Sequence, residues 1–234
     1  MRIPSDLRAV LFDFDGVIVD SEPIHFRLFR EVLAAEDIEL TRKTYDQLYL
    51  GMDDRECFTA VLEAHGRPAP PSKVASLIEQ KSMRLMGEVD RQVPLLPGAA
   101  ACIRSLAASL PLAICSGALR PEIEAMLKQA GLLTAFLGIV SAEDVAHGKP
   151  HPEGYRAALA LVNRAIRPPA PIEPSAVLVI EDSLAGIEAA RAAGMRCLAV
   201  TNSYSMTLLK AAGADAVVTT LEGEPLASLP DSGT

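Results

Sequence analysis

The chain has 234 residues, 50% of them hydrophobic and 22% charged, which is typical of a globular protein and excludes a disordered one. With 30 acidic and 22 basic residues, its net charge is −8. The sequence contains no basic block or stripe that could follow a phosphate backbone, so we expect no nucleic-acid partner. No apolar run approaches the ~20 residues of a membrane-spanning helix, so we expect no membrane partner.

The four cysteines are scattered along the chain and form no CxxC or other paired spacing. Three of them lie in apolar segments, which indicates buried, reduced thiols. The N-terminal residues include one arginine and no apolar signal core. These features are typical of a cytoplasmic protein, and we expect it to be a monomer.

The first predicted element is a short apolar run at residues 9–13 that ends in an aspartate, as a buried strand does when it opens onto a site. Similar runs predict five further strands, at residues 112–115, 138–141, 177–180, 197–200 and 216–218. Helical patterns lie between or beside them, at residues 120–130, 152–163, 184–193 and 206–212. This alternation predicts a parallel sheet covered on both faces, with ligands beyond the carboxyl ends of its strands.

A long stretch after the first strand breaks this alternation because its patterns are helical only. We predict that its helices begin at a capping Ser21 and span residues 55–64 and 72–86. Prolines at 94 and 97 mark the return to the sheet. The predicted fold is therefore α/β, with a Rossmann-like parallel core formed by residues 1–18 and 94–234. Residues 19–93 form an inserted all-helical domain, which we call the helical insertion.

Asp13 and Asp15 stand where the first strand ends. Alternation along an extended chain sends both side chains to the same side. Two carboxylates in one space repel and need a cation or a shared proton. One could attack phosphorus while the other handles the proton of the leaving group. The pair could equally be a loop Asp-x-Asp that stabilises a turn.

Further polar residues follow other predicted strands. Ser116 could hold a phosphate oxygen together with backbone N–H groups, although an isolated serine at this position is more often a helix cap. Lys149 stands between a glycine and a proline, and a lone loop lysine is usually a solvated charge. Here the charge balance favours a function, since four acidic residues and a substrate phosphate would share the site: Asp13, Asp15, Glu181 and Asp182.

Glu181 and Asp182 follow the strand at 177–180 directly. Hard oxygen ligands and a phosphate substrate select Mg²⁺, which keeps several waters and takes one or two protein carboxylates. An acidic pair at a helix N-terminus is also favoured by the helix dipole, and both interpretations can hold together.

Four segments together resemble the haloacid-dehalogenase-like superfamily, specifically its phosphoglycolate phosphatase and β-phosphoglucomutase branch. They are Asp13-Phe-Asp-Gly-Val-Ile-Val-Asp-Ser-Glu22, Cys115-Ser-Gly117, Gly148-Lys-Pro150, and Glu181-Asp-Ser183 with Gly186-Ile187. They occur in order over nearly the whole chain, each at a predicted strand end or in the loop beyond it. The resemblance implies a phosphatase of small phosphate esters that uses an aspartyl-phosphate intermediate and Mg²⁺.

The same resemblance implies residue roles. Asp13 is the nucleophile and Asp15 the general acid and base, while Ser116, Gly117 and Lys149 hold the phosphoryl group. It also implies the Mg²⁺ ligands, which are the side chains of Asp13 and Asp182, the backbone carbonyl of Asp15, and Glu181 either directly or through water.

The helical insertion is similar to the cap of this branch, which closes over the site and excludes water. Three of its residues are candidates for substrate specificity. His25 could face the catalytic loop or pack on its helix. Arg55 matches a substrate-contact position of the family, or is a surface arginine. Lys81 interrupts an apolar stripe, so it faces the cleft or extends its ammonium to water from a packed helix.

Two alternatives to a phosphatase remain open. A phosphomutase of the β-phosphoglucomutase type usually has a Ser-Lys pair where this chain has Ala118 and Leu119, although Arg120 could partly compensate. A catalytically silent binding or regulatory protein on the same fold is disfavoured because all the expected active-site residues are present.

Overall fold

The computed structural model describes residues 3–89 and 93–229, and over these ranges six strands and nine α-helices follow one another along the chain. The strands are β1 (Ala9–Phe12), β2 (Leu112–Cys115), β3 (Ile139–Val140), β4 (Val177–Glu181), β5 (Arg196–Val200) and β6 (Ala216–Val218). The helices are α1 (Glu22–Ala34), α2 (Arg42–Leu48), α3 (Asp54–Ala64), α4 (Pro71–Val89), α5 (Ala99–Ala107), α6 (Arg120–Gln129), α7 (Glu153–Ile166), α8 (Leu184–Ala192) and α9 (Met206–Ala212). All six predicted strands are confirmed, with ends that differ by one residue at most.

The strands form one parallel sheet in the order β3-β2-β1-β4-β5-β6. On β1, Phe12 is paired with Ile114 of β2 on one side and with Ile180 of β4 on the other. The residues that follow these three strands therefore emerge at the same edge. The strand order reverses between β1 and β4, and in such sheets the crevice at the reversal is where ligands bind. The predicted α/β fold with a parallel sheet is confirmed.

Side chains that alternate along each strand fill two separate layers of the core, because successive residues of a strand point to opposite faces. Val10 and Phe12 pack on one face, which α5 and α6 cover, while Ala9 and Leu11 pack on the other, which α7, α8 and α9 cover. Burial on both faces explains why the strands are continuously apolar in sequence.

Helices α1 to α4 make up the helical insertion and share an apolar cluster of their own, in which the rings of Phe29 and Phe58 lie 4.9 Å apart. The chain enters and leaves the insertion side by side, since Val19 bridges Leu95 and the N–H of Asp20 donates to the carbonyl of Pro94 over 2.8 Å. The predicted domain boundaries remain a prediction. Residues 1–2, 90–92 and 230–234 of those predicted domains lie outside the described residues.

Three features differ from or extend the sequence predictions. Helices α2 and α5 were not predicted. The expectation that Ser21 caps α1 with its side chain is wrong, because its hydroxyl donates instead to Asp15. All four cysteines are free and buried, although the sequence predicted this for only three of them. Of the helices in the described ranges, none is long and apolar enough to cross a membrane.

Candidate active site

The loops that follow β1, β2, β3 and β4 bring Asp13, Ser116, Lys149 and Asp182 to one edge of the sheet. They line a cavity of about 180 Å³ between the sheet and the helical insertion. A space of this size suits a small molecule.

Asp13 is almost fully buried at the centre of this edge. Its Oδ1 lies 2.7 Å from Nζ of Lys149, but no donor is aligned for a hydrogen bond with that oxygen. Burial raises the pKa of Asp13 to about 7; Lys149 opposes this rise, and the negative charge of Glu181 adds to it. Lys149 is the cation paired with this carboxylate in the described residues, and the neighbouring carboxylates leave a place for a second cation.

Glu181 is fully buried, and protein donors occupy both of its oxygens. Oε1 accepts from Nζ of Lys149 at 2.6 Å and from the hydroxyl of Tyr155 at 2.7 Å. Oε2 accepts from the backbone N–H groups of Asp182 at 2.9 Å and Ser183 at 3.0 Å. Burial alone would raise the pKa of Glu181, but Lys149 and these donors outweigh it and lower the pKa. The carboxylate therefore holds Lys149 in position beside Asp13.

Asp182 is buried beside these two carboxylates, and one of its oxygens accepts from the hydroxyl of Ser203. Burial, together with the charges of Glu181 and Asp13, raises the pKa of Asp182 well above its ordinary value. Gly16 has φ +73°, and a Cβ at this position would lie 1.9 Å from Oδ2 of Asp182. Only glycine fits there without displacing the carboxylate.

Asp13, Glu181 and Asp182 each place a carboxylate oxygen within 4.8 Å of the others. Within the described residues, Lys149 is the cation that ion-pairs with this cluster. Once all three carboxylates are ionised, their charge exceeds that of the one ammonium, and the ligand atoms are all hard oxygens. This arrangement fits Mg²⁺. Because the acceptor positions of Glu181 are occupied by protein donors, Asp13 and Asp182 are the better-placed side-chain ligands.

Ser116 and Gly117 lie directly beyond β2 on the cavity wall. The hydroxyl of Ser116 accepts from the N–H of Ala118 at 3.0 Å. Because α6 begins only at Arg120, Ser116 is not the cap of that helix. The alternative of a simple capping serine is thus excluded by the observed helix start.

The side chain of Asp15 faces the helical insertion, where it accepts from the hydroxyl of Ser21 and lies 3.3 Å from Nε2 of His25. Burial would raise the pKa of Asp15, but the hydrogen bonds from His25 and Ser21 outweigh it and lower the pKa. In this arrangement, Asp15 is an ionised acceptor tied to the first helix of the insertion.

Lys81 does not face the cavity, and its ammonium does not reach water either, because the side chain is 0% exposed. Its Nζ lies 2.7 Å from Nδ1 of His25 and 2.5 Å from Oδ1 of Asp54. It also lies over the ring of Phe29, 4.5 Å from the ring centroid. The structure thus contradicts both sequence expectations for Lys81, since a partly exposed carboxylate partner on α3 was not foreseen.

The other two specificity candidates do line the cavity. An ammonium can only donate, so Nδ1 of His25 accepts from Lys81 and Nε2 carries the proton that faces Asp15. Arg55 is exposed at the rim. The N-terminal end of α3 approaches the sheet domain closely, since a Cβ on Gly148 would lie 3.1 Å from Oδ2 of the capping residue Asp53.

Several site residues were missed from the sequence. Ser203 follows β5, and its place after an apolar run at the same sheet edge was a usable signal. Tyr155 and Asp54 carry no such signal, because their partners lie on other elements.

Glu122 on α6 lines the cavity although it is 2% exposed, and its Oε1 has no aligned donor. Burial raises the pKa of Glu122.

Known proteins similar to this chain were found by family model, by sequence and by structure. A family model described as haloacid dehalogenase-like hydrolase matches residues 7–194. Protein CbbY of Rhodobacter capsulatus is 32% identical over 209 residues, 86% of this chain and 88% of that protein. A phosphorylated carbohydrates phosphatase of Thermotoga maritima is 30% identical over 191 residues, 81% of this chain and 82% of that protein. The crystal structure of CbbY from Rhodobacter sphaeroides in complex with phosphate has a TM-score of 0.81 and 28% identity, and covers 95% of this chain and 99% of that one.

Proposed function

The chain belongs to the haloacid dehalogenase-like hydrolases and is a phosphoric monoester hydrolase, and on this premise we propose that it is a Mg²⁺-dependent phosphatase of a small phosphorylated metabolite. The substrate class that we propose is a sugar phosphate or a related monoester. The relative that acts on phosphorylated carbohydrates and the small size of the cavity support this class.

One observation carries the proposal, and it is the environment of Asp13. A buried carboxylate has an ammonium 2.7 Å away and two further buried carboxylates, of Glu181 and Asp182, within reach of the same ion. Such a group is prepared to attack an electrophile whose own negative charge Lys149 can offset. A solvated surface carboxylate would have none of these features.

The proposed reaction has two steps. A carboxylate oxygen of Asp13 attacks phosphorus, and the bond from phosphorus to the ester oxygen breaks. Asp15 takes up a proton from solvent when the substrate binds and passes that proton to the departing alcohol. Water then attacks the aspartyl phosphate and gives up a proton to Asp15, which releases phosphate and restores Asp13. Ser116, the backbone at Gly117, and Lys149 hold the phosphoryl oxygens throughout.

Asp13 and Asp182 would hold Mg²⁺ through their side chains and Asp15 through its backbone carbonyl, with Glu181 next to them. The bound ion would neutralise part of the carboxylate charge and orient the phosphoryl group. Glu181 also keeps Lys149 in place through its 2.6 Å contact.

The helical insertion would act as a lid that excludes water during the first step. The hydroxyl of Tyr204 in the sheet domain donates to the carbonyl of Leu50 in the insertion over 3.2 Å, which favours a closed arrangement. His25 and Arg55 face the cavity and are our candidates for substrate contact. Lys81 would act indirectly, by positioning His25.

A phosphomutase is the second candidate, and one observation weakens it. Arg120, which could have replaced the missing Ser-Lys pair, donates to the carbonyl of Ile139 at 2.9 Å and to Asp144 at 2.6 Å. Its guanidinium is thus engaged beside β3 and is not a second phosphate ligand in this arrangement. Hydrolysis is therefore favoured.

The test is a phosphate-release screen with a panel of sugar phosphates and related monoesters in the presence of Mg²⁺. We expect turnover by the native chain and its loss, by at least about a thousandfold, in Asp13→Asn. Asp37→Asn is a matched control, because Asp37 is exposed in the helical insertion. Normal turnover by Asp13→Asn would refute the nucleophile.

The same preparations separate the alternatives. Incubation with β-glucose 1-phosphate should not yield glucose 6-phosphate, and efficient conversion without release of inorganic phosphate would favour the phosphomutase. A chain that releases no phosphate from any member of the panel would favour a silent binding protein.

A further inference from the structure

Two of the four histidines lie four residues apart, on either side of Lys149. His147 and His151 are 67% and 51% exposed, and their rings approach to 4.7 Å between centroids. Lys149 points inward from the same turn to Asp13 and Glu181. The turn therefore presents an ammonium to the active site and two imidazoles to the cavity mouth.

A carboxylate lies against both imidazoles. Oε2 of Glu153 is 2.9 Å from Nδ1 of His147 and 3.7 Å from Nδ1 of His151. The backbone holds this carboxylate in place, since the N–H of Ala146 donates to Oε1 at 2.9 Å and the N–H of His147 donates to Oε2 at 3.1 Å. Its orientation is thus set before any ligand arrives.

These distances are close to those of a metal site. In a tetrahedral site with ligands about 2.0–2.1 Å from the ion, neighbouring ligand atoms lie about 3.3 Å apart. The two measured separations fall on either side of this value, and one ligand atom from each of the three residues lies within 4.8 Å of the others. Nδ1 of His151 accepts from the backbone N–H of Glu153 at 3.3 Å, a contact that an ion bound to this nitrogen would replace. The exposed side of the cluster leaves room for water as a fourth ligand.

We propose that His147, His151 and Glu153 form a metal site, separate from the acidic cluster at Asp13, that takes one late first-row divalent ion such as Zn²⁺. Two imidazoles and one carboxylate select Zn²⁺, Co²⁺, Ni²⁺ or Cu²⁺ over Mg²⁺, which prefers oxygen ligands alone. The site does not depend on the function proposed above.

The test uses the metal-free full chain in excess Mg²⁺, which keeps the acidic cluster occupied, and titrates Zn²⁺ by calorimetry. We expect one Zn²⁺ per chain, and a loss of affinity of about tenfold or more in each of His147→Gln and His151→Gln. His65→Gln is the matched control, because His65 is also exposed but is the C-cap residue of α3, away from the cluster. It should bind as the native chain does.

Titration with Co²⁺ gives a second readout that does not depend on activity. We expect the visible absorption of a four-coordinate Co²⁺ site in the native chain and in Asp13→Asn, but not in the double variant His147→Gln, His151→Gln. Equal binding by the double variant, or loss of binding in Asp13→Asn, would overturn the proposal. Half an ion per chain with a dimer on gel filtration would also overturn it, since the ion would then be shared between two molecules.

Discussion

Asp13 and Glu181 are both buried beside Lys149, and burial alone would raise both pKa values, yet the two pKa values shift in opposite directions. Glu181 accepts hydrogen bonds at both oxygens, which lowers its pKa despite burial. Asp13 has Lys149 as its partner, but the effect of burial is larger and raises its pKa to about 7. The carboxylate of Glu181 therefore stays ionised and holds Lys149, whereas Asp13 exchanges its proton near neutral pH.

The raised pKa values of Asp13 and Asp182 predict that Mg²⁺ binding depends on pH. Near neutral pH the metal-free chain holds protons on these groups, and Mg²⁺ must displace them. We therefore expect Mg²⁺ affinity to rise between about pH 6 and pH 8, with net proton release. Calorimetry in buffers of different ionisation enthalpy measures both quantities. An affinity that is constant over this range, with no proton release, would contradict the prediction.

The sequence predicted the residues at strand ends but not their partners across the site. Asp13, Ser116 and Asp182 each follow an apolar run, so their common edge follows from the parallel sheet. Lys81 was misjudged, because a lysine within an apolar stripe gives no sign of the carboxylate on another helix that neutralises it. Which residues become such partners depends on how the helices pack against one another. The spacing of residues within one helix does not predict this.

At the scale of elements, the strands could be predicted because each apolar run ends in a polar residue or a turn. Helices α2 and α5 could not be predicted from the sequence. Helix α2 has seven residues and one buried side chain, Tyr45, which is too little for a period to be visible. Helix α5 is alanine-rich and is followed closely by the apolar strand β2. Few polar residues separate the two elements, so the sequence shows no clear helical period there. Its boundaries are set by packing on the sheet.

Helix α4 carries two lysines that allow a matched comparison. Lys81 is fully buried against Asp54, while Lys73 pairs with Glu36 in a partly exposed position. We expect Lys81→Met to lower the free energy of unfolding by about 2–3 kcal/mol, since it leaves Asp54 without its buried partner. Lys73→Met should change this free energy by no more than about 1 kcal/mol. Urea denaturation measures both.

Activity provides the second readout for this pair of variants. Lys81→Met should also reduce turnover at temperatures where it is fully folded, because His25 loses the donor that orients its Nε2 towards Asp15. Lys73→Met should retain native turnover. Equal stability losses in the two variants would show that burial of Lys81 has no special energetic role.

At the scale of the whole molecule, the candidate active site is lined by residues of both the sheet domain and the helical insertion. The sheet supplies Asp13, Lys149 and Asp182, whereas the insertion supplies His25 and Arg55 across the cavity. The two crossings of the chain between them lie side by side at Val19 and Leu95. A paired crossing of this kind suits a hinge, and closing it brings the two halves of the site together.

The hydrogen bond from the hydroxyl of Tyr204 to the carbonyl of Leu50 joins the two halves directly over 3.2 Å. Tyr204→Phe removes this one donor and keeps the ring. If the bond contributes about 1 kcal/mol to the closed arrangement, its loss shifts the closure equilibrium by about fivefold. We therefore expect kcat/KM for the best substrate of the phosphate-release screen to fall by up to about fivefold.

Thermal unfolding of the same variant separates closure from stability. A change of Tm of a few degrees at most is expected, because the bond is partly exposed and lies between the two halves. Small-angle scattering with Mg²⁺ and phosphate should then show a larger average radius for Tyr204→Phe than for the native chain. If kcat/KM and the scattering radius are both unchanged, Tyr204 is a surface contact without influence on the lid, and closure must depend on the α4–α6 contact instead.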